Sequence, residues 1–251
     1  MKQTLKILLT ASVFALGLAT TLQTQAAVVI AGTRVIYRGG DTEQTVKLTN
    51  EGTSPALTQI WLDRGDPAAA PSAVDVPFTI TPPLARIDPG KGQTLRILHT
   101  GEALPQDRES VFWLNVLEVP PKAGGEADAN HLQLAFRTRV KMFFRPAGLK
   151  GRAEDAPAQI TWRLVQAGDH PALEARNPTP YHVSFSMLEV SAGGKTVRSE
   201  DSGMVRPGET QTFPLSAAVS QGTASKVRYR AINDYGGAID GDAVLDAAQA
   251  R

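Results

Sequence analysis
Short runs in which apolar and polar residues alternate, each cut off by a cluster of Gly, Pro, Asp or Asn, recur along most of this chain. A period of two turns one face of a strand toward a core and the other toward water. No stretch keeps a 3.6-residue period over three turns with caps, so helical folds are excluded first. Residues 45–50 (TVKLTN), 58–62 (TQIWL), 94–98 (TLRIL) and 132–136 (LQLAF) alternate cleanly. Residues 111–119 alternate less strictly, as a strand buried on both faces does. Between the runs stand turn clusters at 38–41 (RGGD), 50–53 (NEGT), 63–71 and 88–92 (DPGKG). About seven strands at this spacing predict an antiparallel β-sandwich of immunoglobulin type.

The pattern then starts again. New strands are expected at 160–165, 182–190, 211–215 and 226–232. Residues 146–150 read as a short linker, because Pro146 fixes φ and removes a backbone donor at its start. The expected organisation is all-β, with a first sandwich over residues 27–147 and a second over 148–251. Residues 243–251 are small and polar and are expected to fray.

Residues 1–26 are expected to be an address rather than structure. Lys2 and Lys6 supply a positive start, residues 7–18 are apolar, and Thr24-Gln25-Ala26 presents small residues for cleavage after Ala26. The apolar run falls short of the roughly 20 residues that span a bilayer. Removing this secretory signal takes two lysines and no acid from 26 basic and 25 acidic residues, leaving a net charge of −1. Neither nucleic acid nor a membrane surface is implied as a partner, and no membrane insertion is expected. The style of the signal points to the bacterial periplasm.

Catalytic and metal signatures are weak. The chain has no cysteine, which excludes disulfides, thiolate metal sites and a cysteine nucleophile. Residues 89–94 (PGKGQT) lack the spacing of a phosphate loop. The four histidines show no ligand spacing, and Glu126, Asp128 and His131 read as a solvated loop. No serine sits in a Gly-x-Ser-x-Gly elbow, and no carboxylate pair suggests a glycosidase. The Arg64-Gly65-Asp66 triplet is treated as coincidence. The expectation is a non-enzyme without cofactor or metal.

Three polar features stand out instead. Arg34 lies inside the run 33–37 (TRVIY), and Lys141 inside 140–144 (VKMFF). A cation among residues that should be buried needs a partner or a reason, unless alternation turns it to solvent. Glu109 precedes the strand at 111 and is a candidate partner for a base such as Arg145. Leu132, Leu134 and Phe136 share one strand face, where they either fill their own core or stand open.

Seven segments in order resemble the periplasmic pilus-assembly chaperone family: 33–37 (TRVIY), 81–83 (TPP), 104–110 (LPQDRES), 112–115 (FWLN), 145–147 (RPA), 177–181 (NPTPY) and 232–236 (INDYG). The resemblance implies two immunoglobulin-like sandwiches in a boomerang, and a partner class. Pilin subunits lack a sandwich strand, and the chaperone lends its own before delivering the subunit to an outer-membrane usher. Under that resemblance Leu132, Leu134 and Phe136 belong to the donor strand. Arg34 and Lys141 anchor the subunit's C-terminal carboxylate. Glu109, Arg145 and Asp234 form an interdomain charge network. The 81–83 segment carries a cis proline. A short loop at about 120–130, with no cysteine, fits the subclass that builds rod-like pili. A self-capping homodimer of the free protein stays open. The competing expectation is an exported structural or adhesive immunoglobulin-like protein without chaperone activity.

Overall fold
The structure is a computed structural model, described here for residues 27–73, 75–119, 134–168, 170–192, 194–219 and 225–245. The expected signal peptide and the Glu126, Asp128 and His131 loop lie outside the described residues.

The first domain contains β1 (Val28–Ile30), β2 (Arg34–Arg38), β3 (Gln44–Asn50), β4 (Ala56–Asp63), β5 (Phe78–Thr81), β6 (Leu84–Ile87), β7 (Gly92–His99), β8 (Ser110–Val119) and β9 (Phe136–Arg145). They form a four-stranded sheet in the order β1-β3-β7-β5 and a five-stranded sheet in the order β2-β9-β8-β4-β6. Leu48, Leu95 and Ile97 from one sheet and Leu114 and Met142 from the other are fully buried in one shared core. Each such side chain contributes about 1.5–3 kcal/mol by leaving water. The centre of β8 is buried on both faces, through Leu114, Asn115 and Val116. The peptide bond between Thr81 and Pro82 is cis.

The second domain contains β10 (Thr161–Ala167), β11 (His170–Arg176), β12 (Val183–Ala192), β13 (Lys195–Arg198), β14 (Gly203–Val205), β15 (Thr210–Pro214), β16 (Lys226–Ile232) and β17 (Ala238–Val244). A three-stranded sheet, β10-β11-β15, faces a sheet of β13-β12-β16-β17 in which β14 also pairs with β12. Trp162, Phe185, Phe213 and Tyr229 fill the centre of this second core.

Two sequence expectations change. Of the strand expected at 132–136, Leu132 and Gln133 lie outside the described residues, and Leu134 and Ala135 precede a longer strand that begins at Phe136. The alternation runs on, so Phe136 through Arg145 is a single strand that absorbs the apolar run around Lys141. Of the tail expected to fray from 243, the first two residues are in a strand, and residues 246–251 lie outside the described residues. Ala243 and Val244 pair with Val227 and Lys226 as the end of β17, because the full length of β16 offers a ladder to join.

Candidate functional site in the cleft between the domains
One strand pair sets the geometry. Among the named strands β2 and β9 alone run parallel, with Arg34 opposite Lys141 and Arg38 opposite Arg145. Strand pleating puts Arg137, Arg139, Lys141, Phe143 and Arg145 on one face of β9. Phe136, Thr138, Val140, Met142 and Phe144 take the other, which turns into the core from Val140 onward.

Arg34 and Lys141 are thus brought side by side, both partly buried. Arg34 Nη1 donates to the Ile232 carbonyl of the second domain at 2.9 Å. Its guanidinium lies 5.8 Å from the centre of the Phe143 ring. Its Nε is buried without a hydrogen-bond partner. Lys141 makes no ion pair with any described residue. Burial, and then the positive charge of Arg34, push the lysine's pKa below its ordinary value. Burial pushes Arg34 down as well, against the pull of Asp234 and Glu109. In both, the loss of water outweighs any counter-charge gained, and Lys141 gains none among the described residues. A cavity of about 210 Å³ opens here, lined by Arg34, Glu109, Phe143, Arg145, His182 and Asp234 among others.

Glu109, Arg145 and Asp234 also come together. Arg145 Nε donates to Glu109 Oε1 at 2.6 Å, while Nη1 and Nη2 grip both oxygens of Asp234 at 2.6 and 2.8 Å. Burial alone would lower the arginine's pKa, but the bonds and charges of Asp234 and Glu109 outweigh it and raise it. Glu109 is buried, and its other oxygen accepts from the His182 amide at 2.8 Å and faces His182 Nδ1 at 3.2 Å. The Glu109 amide itself donates to the Pro180 carbonyl. Local turns present these second-domain groups. Asn177 Oδ1 accepts from the Thr179 amide and hydroxyl, which shapes the run up to His182. Asn233 Oδ1 likewise accepts from the Tyr235 and Gly237 amides and fixes Asp234 between them. Gly236 closes this turn at φ +83°, and a Cβ there would run into the Thr33 hydroxyl.

Of the expected donor residues, Leu134 is 55% and Phe136 37% exposed, so they do not fill their own core. On one side Phe136–Phe144 pair with β8. On the other, β2 covers only Lys141–Arg145. Residues 136–140 therefore have no strand partner on that side among the described residues.

Sequence reasoning missed two contributors. His182 is a partner of Glu109 but lies 73 residues away from it. Asp63, with a carboxylate 1% exposed, binds Arg139 from the outer face of the same strand. Asp63 ends an apolar run and Asn115 interrupts another, the same anomaly that singled out Arg34 and Lys141.

Comparison with known proteins agrees with this architecture. The family profile for the pili and flagellar-assembly chaperone PapD N-terminal domain matches residues 27–150, and that for the pili assembly chaperone PapD C-terminal domain matches 155–243. The chain belongs to the pilus-assembly chaperone family. It is 46% identical to the probable fimbrial chaperone YadV of Escherichia coli, over 94% of this chain and 97% of that one. It is 50% identical to the chaperone protein FimB/FhaD of Bordetella pertussis, over 85% and 86%. The crystal structure of YadV superposes with a TM-score of 0.75, covering 87% of this chain and 99% of that one at 44% identity. The Salmonella enterica SafB chaperone, solved in complex with the SafA pilin, is similar with a TM-score of 0.72 at 29% identity, over 89% and 98%.

Proposed function
We propose that this protein is a periplasmic chaperone that holds pilin subunits by strand donation and delivers them to an outer-membrane usher. One observation carries the proposal. Two adjacent cations without a carboxylate partner stand where a strand edge, exposed on its apolar side, meets the cleft. The free edge at 136–140 supplies main-chain pairing that tolerates many client sequences, and Leu134 and Phe136 enter the client's groove beside it. Arg34 and Lys141 bind the client's C-terminal carboxylate. That anchor fixes the register, since a slip of one residue would turn every side chain to the wrong face. The charge network of Glu109, Arg145 and Asp234 holds the two domains at their working angle. Leu132, outside the described residues, continues the donor face.

The relatives are named chaperones rather than enzymes. The periplasmic location rests on the signal-like residues 1–26 and on the family. Among the described residues no helix is long and apolar enough to cross a membrane. We keep the short-loop, rod-pilus subclass as part of the proposal, although its loop lies outside the described residues. A spacer or adhesive immunoglobulin-like protein has no use for two desolvated cations in its cleft, and Arg34 and Lys141 weigh against that reading.

Periplasmic co-expression with pilin subunits of the same source tests the proposal. The wild type should yield a soluble one-to-one complex. Arg34→Ala and Lys141→Ala should weaken it by about 2–5 kcal/mol, or roughly 30- to 5,000-fold. Normal capture by both variants would remove the carboxylate anchor.

A further inference from the structure
A second charge cluster lies on the outer face of the first domain, behind the free half of β9. Asp63, the last residue of β4, accepts from Arg139 Nη2 at 2.5 Å and Nε at 3.2 Å, from Asn115 Nδ2 at 2.7 Å and from the Gly65 amide at 2.6 Å. Arg137 reaches Asn115 Oδ1 through Nε at 2.9 Å and Nη2 at 2.6 Å, and the Pro67 carbonyl through Nη1 at 2.6 Å. The two guanidinium groups lie over indoles, Arg137 4.7 Å from the Trp61 ring centre and Arg139 4.8 Å from that of Trp113. Neither arginine lines the cleft cavity.

A strand segment paired on one side only lacks half its ladder and is prone to local opening. A chaperone whose donor segment opened freely would have to order it again on each encounter, and that lost entropy weakens binding. Here residues 137 and 139 are clamped from the outer face. Because successive side chains alternate, holding those two aims Phe136 and Thr138 at the opposite face. We infer that Asp63 and Asn115, acting through Arg139 and Arg137, are positioning residues that keep the free half of β9 extended and in register for its client. The inference rests on the strand-donation proposal above. It also gives a purpose to the connection between β4 and β5, since Asp63 stands just before it and Gly65 and Pro67 lie within it. The planar fork matters: Arg137 meets a side-chain amide and a main-chain carbonyl at once, and an ammonium cannot reproduce that geometry.

Arg137→Met tests this in the full mature protein, because it keeps an apolar stem over Trp61 and loses the three hydrogen bonds. Two quantities are read: hydrogen exchange of the 136–140 amides in the free protein, and dissociation of a co-expressed pilin subunit. Exchange and dissociation should each rise about tenfold, while the melting temperature, set by the two cores, stays close to wild type. Arg137→Lys should behave like the methionine variant. Unchanged exchange overturns the clamp. Faster dissociation with unchanged exchange overturns positioning in favour of direct client contact. Faster exchange with unchanged dissociation overturns the link to client binding. Full rescue by lysine shows that charge alone suffices and overturns the fork. Phe136→Asp is the separate control. Wild-type capture by that variant would sink strand donation itself and the purpose assigned to the clamp, while the exchange data would still report whether the clamp exists.

Discussion
Lys141 and Arg145 sit four residues apart on the same face of one strand, yet their surroundings are opposite. Arg145 meets two carboxylates, one from each domain, and spends every side of its guanidinium on them. Lys141 meets another cation, Arg34, across the parallel ladder and no carboxylate among the described residues. The first site is complete within the chain. The second has no carboxylate among the described residues, and under the proposed function an anion from outside completes it. Similar residues at similar depth thus differ by whether the fold supplies the counter-charge, and the proposal makes one a fastener and the other a receptor.

Breaking the complete site should have the largest effect on folding. Arg145→Met leaves Glu109 buried beside His182 and frees Asp234, so the two domains lose their shared cation. Removing one partner of such a buried network costs about 3–5 kcal/mol. Urea denaturation should show that loss as a lower midpoint, and small-angle scattering should show a wider spread of interdomain arrangements. A midpoint within experimental scatter of wild type would mean that the network does not hold the domains.

The incomplete site should respond the other way. Arg34→Met removes a desolvated cation whose Nε has no partner and relieves the like charge on Lys141. It also loses the bond to the Ile232 carbonyl, worth about 1 kcal/mol net. The two changes nearly cancel, so the free protein should shift by less than about 1 kcal/mol, against the far larger loss at Arg145. Capture of pilin should fail all the same. A destabilisation as large as that of Arg145→Met would show that Arg34 is a fastener too.

Much of this was legible in one sequence. The strand pattern located β3, β4, β7, β8, β12 and β16; inward side chains recur regularly in β3, β7 and β16, while β4, β8 and β12 are buried on both faces over part of their length. It passed over β11, where Leu173 is the only large buried side chain, the other buried residues are Ala172 and Ala175, and Pro171 precedes them. It passed over most of β17, where Asp240 and Asp242 look like loop residues until Arg230 and Arg228 on β16 pair with them. At the site, a cation inside an apolar run was a signal that residues alone could give. Which carboxylate a cation meets was not. Glu109 and Arg145 are 36 residues apart, and Asp234 a further 89 along the chain from Arg145, so their meeting belongs to the fold; the residues alone offered Glu109 and Arg145 as candidate partners, and Asp234 joined them only through the family resemblance.

The finest test of the contrast is a titration. Burial and the neighbouring charge of Arg34 lower the Lys141 pKa in the free protein, so the folded chain releases that proton at lower pH than the unfolded chain does. Between those two values the unfolded state binds more protons, and the free protein should grow more stable as pH rises. A client carboxylate reverses the bias, because it favours the charged lysine and raises its pKa again. Client binding should therefore weaken as pH rises through the lowered value, by at most about tenfold per pH unit for a single proton. Lys141→Arg should flatten that dependence, since arginine keeps its charge throughout. Pilin affinity measured between about pH 7 and pH 10 for both proteins settles the matter. Equal slopes would mean that the proton lost belongs to the client or to another group, and that Lys141 is not the receptor for its carboxylate.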